Sequence, residues 1–102
     1  MKLVLAAALG TLLVAPAYAA DVKAGQALVH IWCANCHETE GSKSGNDAAP
    51  AFSTIAERHA SDPNWVHSWL KTSHPTMPSF NLSRQGIDDI VAYLATLTPE
   101  HK

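Results

Sequence analysis

An all-α fold is what this sequence predicts, and three observations carry that expectation. Apolar residues recur at helical spacing, most clearly Ile87, Ile90, Val91, Leu94 and Leu97, which is the i, i+3, i+4, i+7 pattern of a helix with one buried face. No stretch alternates apolar and polar residues as a half-buried strand would. The chain has 102 residues, and domains this small usually need a staple or a bound group to supplement their core. The segment Cys33-Ala34-Asn35-Cys36-His37 offers a place to attach one.

The first residues read as a leader rather than as part of the fold. Lys2 is a one-charge start, residues 3–15 are apolar, and Ala17-Tyr18-Ala19 places small residues at the cleavage-determining positions. Export and cleavage after Ala19 are expected, leaving residues 20–102 as one domain. The apolar run is shorter than the ~20 residues that span a bilayer, so no stable membrane insertion is expected after cleavage. Seven Lys and Arg stand against nine Asp and Glu, and losing Lys2 makes the mature chain more acidic still. No basic run suggests nucleic acid or an anionic membrane.

The first helix should start from Asp21 as N-cap and run to about Trp32, with Leu28, Val29 and Trp32 on the face that carries Gly25. An interior glycine costs about 1 kcal/mol relative to alanine. A close neighbour therefore has to justify Gly25, either the backbone of another helix or a large ring, and the ring of Tyr93 is the expected one.

The helix leads into C-x-x-C-H, a site for covalent haem attachment. Cys33 and Cys36 can each form a thioether to the haem, while His37 brings its ring to the iron as proximal ligand. Other uses of two close cysteines fit less well. A redox dithiol belongs with a βαβ pattern, which is missing, and the remaining histidines do not make a zinc-spaced pair. A disulfide would close too small a loop to stabilise much.

Residues 38–49 are polar and glycine-rich and read as a loop. Pro50 follows. Its carbonyl is the expected acceptor for the second ring nitrogen of His37, because ligating histidines are usually oriented in this way. A short helix around residues 53–59 should end at Ser61-Asp62-Pro63, with Asp62 capping the next helix and Pro63 in its first turn. Trp65, Trp69 and Leu70 share a face there and are expected in the haem pocket or core. Met77 lies between Pro75 and Pro78, which should hold the backbone extended, and it is the one methionine beyond Met1. That setting suits a thioether ligand for iron. The last helix should run from Ser83 as N-cap to about Leu97 and stop at Pro99, with Asp88, Asp89 and Thr96 off the apolar stripe.

Taken together, these residues resemble the class I c-type cytochromes, in particular the short bacterial members. The likeness covers the whole mature chain: the Gly25 helix, Cys33-Ala34-Asn35-Cys36-His37, Pro50, Met77-Pro78 and the closing Ile90-Val91-Ala92-Tyr93-Leu94. It implies a cytochrome c fold, with N- and C-terminal helices crossing and short helices and loops wrapped around one covalent haem c. It also implies a single-electron carrier of the periplasm rather than an enzyme. One departure is Gly86, where many terminal helices place a Glu to complete a capping box with Ser83. Arg58, Trp65, Trp69 and Lys71 are all candidates to meet the propionates.

With His37 and Met77 both on the iron, a monomeric shuttle between redox proteins is expected. A dehydrogenase or cytochrome complex would be the donor, and an oxidase or reductase the acceptor. A contrasting reading is a haem enzyme or gas sensor in which Met77 leaves the iron open, with His67 or His74 nearby. A third makes the chain the electron-entry subunit of a larger dehydrogenase or oxidase.

Overall fold

The computed structural model describes residues 3–13, 19–40 and 49–98. Four helices follow one another: α1 (Val22–Trp32), α2 (Phe52–His59), α3 (Pro63–Lys71) and α4 (Arg84–Ala95). No strand occurs among the described residues. Residues 3–13 carry no regular structure, and Leu3, Val4, Leu5, Leu9, Leu12 and Leu13 are all exposed. Most of the glycine-rich loop, residues 41–48, lies outside the described residues, as do Ala17, Tyr18 and Pro99.

Local capping chemistry sets three of the four helix starts. Asp21, Asp62 and Ser83 accept hydrogen bonds from the backbone N–H of Ala24, Trp65 and Gly86, each satisfying a first-turn donor that has no partner within the helix. Pro63 opens α3, where its missing N–H costs nothing. At its other end α4 stops at Ala95, two residues short of the expected end, although Leu97 beyond it is still buried.

The core forms where α1 crosses α4. Val29 shares one buried cluster with Ile90, Tyr93, Leu94 and Leu97, to which α2 adds Phe52 and Ala56 and α3 adds Val66. Burying each of the larger aliphatic side chains contributes about 1.5–3 kcal/mol.

Gly25 makes the crossing close, and what it meets first is the backbone of α4 rather than the ring of Tyr93. A Cβ at Gly25 would stand 2.0 Å from the backbone oxygen of Asp89 and 2.9 Å from the nitrogen of Ile90. The two helices therefore meet backbone to backbone, and no ring fits between them. Tyr93 is instead a core residue, 2% exposed, whose hydroxyl makes no hydrogen bond of good geometry. Burial, with the Glu40 carboxylate adding to it, pushes its phenol up to about 12.

Asp89 also departs from expectation. It is 5% exposed, turned into the crossing, and its Oδ1 accepts the Asp21 N–H at 2.8 Å. A carboxylate of α4 thus completes the first turn of α1, where negative charge is favoured by the helix dipole. Its neighbour Asp88 faces the other way and meets the Nε2 of His67 at 2.6 Å, tying α3 to α4. Gly86 is buried too. Without a Cβ there, Leu28 of α1 comes close while Ser83 still caps the helix, so the glycine belongs to the packing and not only to a weakened start.

Candidate functional site

The end of α1 places the Cys-x-x-Cys-His segment. Cys33 N–H bonds back to Val29 O at 2.9 Å, and Cys36 and His37 both return N–H bonds to Cys33 O, at 3.1 and 2.9 Å. The chain thus continues the helix in a tight turn. Cys33 is buried and Cys36 exposed. Burial, and next the neighbouring Cys36, pushes the Cys33 thiol up to about 11.

His37 is fixed on two sides. Its Nδ1 donates to the Pro50 carbonyl at 2.6 Å, and its ring stacks on Phe52 with centroids 5.3 Å apart and planes 6° from parallel. Glu38 O accepts the Phe52 N–H at 2.9 Å, so the segment after His37 is joined to the start of α2. With Nδ1 protonated and donating, Nε2 keeps the ring's lone pair. Phe52 gave no separate signal in the sequence beyond being apolar and close to Pro50.

All seven residues singled out from the sequence (Cys33, Cys36, His37, Pro50, Trp65, Trp69 and Met77) line one cavity of about 790 Å³. Its wall is mostly apolar. Arg58 lines it as well, whereas Lys71 does not. Trp69 is 39% exposed, so it forms the rim of the cavity rather than core, and Trp65 is half-buried.

Four rings run in sequence along this rim. His59 stacks on Trp65 with centroids 3.4 Å apart, Trp65 on Trp69 at 5.1 Å, and Trp69 on His74 at 3.5 Å. His74 also donates from Nε2 to Trp69 O at 3.2 Å. Trp32, expected on the inner face of α1, is 46% exposed and packs against Phe80 at 5.6 Å, which brings the loop of residues 72–82 to the end of α1.

Met77 sits in that loop, half-buried. The backbone around it is not extended as the two prolines suggested. His74 N–H bonds to Met77 O at 3.2 Å and Met77 N–H to His74 O at 3.0 Å, making Pro75 and Thr76 the centre of a tight turn. Thr76 takes φ 70. A left-handed position costs an ordinary L-residue about 1–2 kcal/mol, and a β-branched one is unusual there.

These residues fit a haem. The cavity is roomy and apolar, two thiols lie on the wall, a histidine is held in one tautomer beside them, and a thioether faces the same space. Among the described residues no cluster of three or more His, Cys, Asp or Glu could hold a bare metal ion.

The comparisons with known proteins agree. A family model described as cytochrome c oxidase, cbb3-type, subunit III matches residues 20–94. Cytochrome c-552 of Bradyrhizobium diazoefficiens is 38% identical over 84 residues, covering 81% of each chain. No solved structure matches. Among the described residues no helix is long and apolar enough to cross a membrane. With its helical architecture, its Cys-x-x-Cys-His cavity and these relatives, the chain belongs to the class I mono-haem c-type cytochromes, which transfer electrons through covalently bound haem c.

Proposed function

We propose that the mature chain, residues 20–102, is a small periplasmic carrier that takes one electron from one redox protein and passes it to another. In this reading Cys33 and Cys36 hold a single haem by thioethers, and His37 and Met77 are its two axial ligands. The observation that carries it is the hydrogen bond from His37 Nδ1 to the Pro50 carbonyl, 2.6 Å, on a wall shared with both cysteines and Met77. That bond fixes the tautomer and raises the basicity of Nε2 for iron.

Haem c supplies the one-electron chemistry. The protein supplies the rest. Met77, as a thioether ligand, raises the potential, and the apolar wall that keeps water away acts in the same direction. His37 and Met77 together leave no open coordination position, so the carrier does not act as an enzyme. Arg58, the only Lys or Arg on the cavity wall among the described residues, is assigned to a propionate, with the indole N–H of Trp65 or Trp69 as a neutral donor. Cys36, exposed at the end of α1, marks the edge where electrons enter and leave through brief, small interfaces. The start of the family match at residue 20 supports a leader that ends at Ala19.

Absorption spectra of the mature protein, oxidised and reduced, with and without carbon monoxide, test this. The expected result is a haem c spectrum with the weak ferric band of sulfur ligation and no response to CO. Ready CO binding by the native reduced protein would overturn the closed His/Met site and favour a haem enzyme or sensor.

The family match favours one further reading, an electron-entry subunit of an oxidase. The haem chemistry is unchanged, and gel filtration of the native extract decides: a large haem-containing complex favours the subunit, a free species of about the chain's own mass the shuttle.

A further inference from the structure

We infer that Thr76 is a positioning residue that loosens the chain's hold on Met77, so that a small neutral nitrogen ligand can compete for the place the sulfur fills. The inference rests on the assignment of Met77 to the iron.

The turn that presents Met77 is closed by only the His74 and Met77 pair of backbone bonds. Pro75 and Pro78 have no N–H to give, and among the described residues no backbone bond holds residues 78–82. Past Met77, the loop is secured by side chains alone, the contact of Phe80 with Trp32 and the packing of Leu82 on the core.

Within this lightly held loop the chain uses two left-handed positions, Thr76 at φ 70 and Asn81 at φ 53. Asn adopts that conformation readily, whereas a β-branched residue such as Thr is strained in it. The turn itself, with Pro first and a positive φ second, is one in which Gly or Asn is the usual second residue. Among the described residues no hydrogen bond offsets the strain at Thr76. Thr72, Thr96 and Thr98 each give their hydroxyl to a carbonyl three or four residues back, but the hydroxyl of Thr76 makes no hydrogen bond among the described residues. Thr76 is exposed at the cavity rim, so backbone groups released by opening meet water at once. Opening therefore relaxes Thr76 to negative φ, and the released strain favours the state in which Met77 is withdrawn.

The experiment is a titration of the ferric, haem-loaded mature protein with imidazole, following loss of the sulfur band, in the parent and in Thr76→Asn, Thr76→Ala and Met77→Ala. Thr76→Asn eases the strain, because its short amide side chain can hydrogen-bond locally, and is expected to bind imidazole about fivefold more weakly. Thr76→Ala loses the hydroxyl and the branch but keeps a Cβ at positive φ, and is expected within about twofold of the parent. Equal or tighter binding by Thr76→Asn overturns the inference, as does a Thr76→Ala effect as large as that of Asn, which would assign the effect to the side chain. Met77→Ala separates the two levels. A parent without the sulfur band and a Met77→Ala protein of unchanged spectrum defeat the Met77 assignment and the inference with it. A band lost only in Met77→Ala, with Thr76→Asn unchanged, defeats the inference alone.

Discussion

Replacing Gly25 with Ala is expected to force α1 and α4 apart. The new methyl would lie 2.0 Å from Asp89 O, 2.4 Å from Asp89 C and 2.9 Å from Ile90 N. Ordinary contact begins near 3.5 Å, so α4 must retreat by about 1.5 Å at this point. Backbone cannot swing aside as a side chain can. The retreat also loosens Val29 against Ile90 and Leu94 and lengthens the bond from Asp21 N–H to Asp89. Overpacking of this kind costs about 1–3 kcal/mol, with the upper end expected against backbone, and more where a buried hydrogen bond is disturbed. Better helix propensity returns about 1 kcal/mol. A net loss of about 2 kcal/mol lowers the melting temperature of a domain this size by about 10 °C. Thermal unfolding of the haem-loaded mature protein, followed by helical circular dichroism, measures it. Gly86→Ala is the comparator, because its nearest neighbours are the side-chain atoms Ser83 Oγ at 3.3 Å and Leu28 Cδ1 at 3.4 Å, which can shift. That variant should stay within about 1 kcal/mol of the parent. A Gly25→Ala protein as stable as the parent, or a Gly86→Ala protein equally damaged, refutes the argument from backbone contact.

Three other outcomes follow from the buried titratable groups. In the folded, haem-free chain at pH 8, iodoacetamide should modify Cys36 much faster than Cys33, whose thiol is buried and pushed up to about 11; peptide mass analysis after short exposures reads the order. Tyr93, the one tyrosine beyond residue 19, should titrate in ultraviolet difference spectra near 12 rather than near 10. Its pKa is raised on folding, so its contribution is intact below pH 10 and is lost as pH rises toward 12. Tyr93→Phe should therefore be close to neutral at pH 7 and flatten the alkaline loss of stability. Asp89→Ala leaves the Asp21 N–H without its acceptor and should cost about 1–3 kcal/mol in urea unfolding at neutral pH.

The parts of this molecule that depend on neighbours in sequence were legible in it. Asp21, Asp62 and Ser83 cap their helices because a cap is decided within three residues. Cys33, Cys36 and His37 reach one wall because a single turn after α1 positions all three. Pro50 could be picked for its free carbonyl, and Met77 for its isolation between prolines.

Features set by long-range approach were harder to read. Gly25 announced a close contact, but nothing local says whether a ring or a backbone fills it. Asp89 lies off the apolar stripe beside Asp88 in the sequence, and only the nearness of the α1 start turns it inward. The turn at Thr76 was hidden because its residue is the wrong one for the conformation it adopts. Arg58 stood among several equal candidates until the cavity wall separated it from Lys71.

The crossing of α1 and α4 also sets an order of events. Val29 and Gly25 belong to the first helix, whereas the surfaces that cover them, Ile90, Leu94 and the Asp89 backbone, belong to the last. A chain emerging from its N-terminus exposes Cys33, Cys36 and His37 well before α4 exists. Contacts between such distant segments form slowly because a long loop must first close. The interval before closure leaves both thiols accessible, and the arrival of α4 then shuts the core behind whatever they have bound.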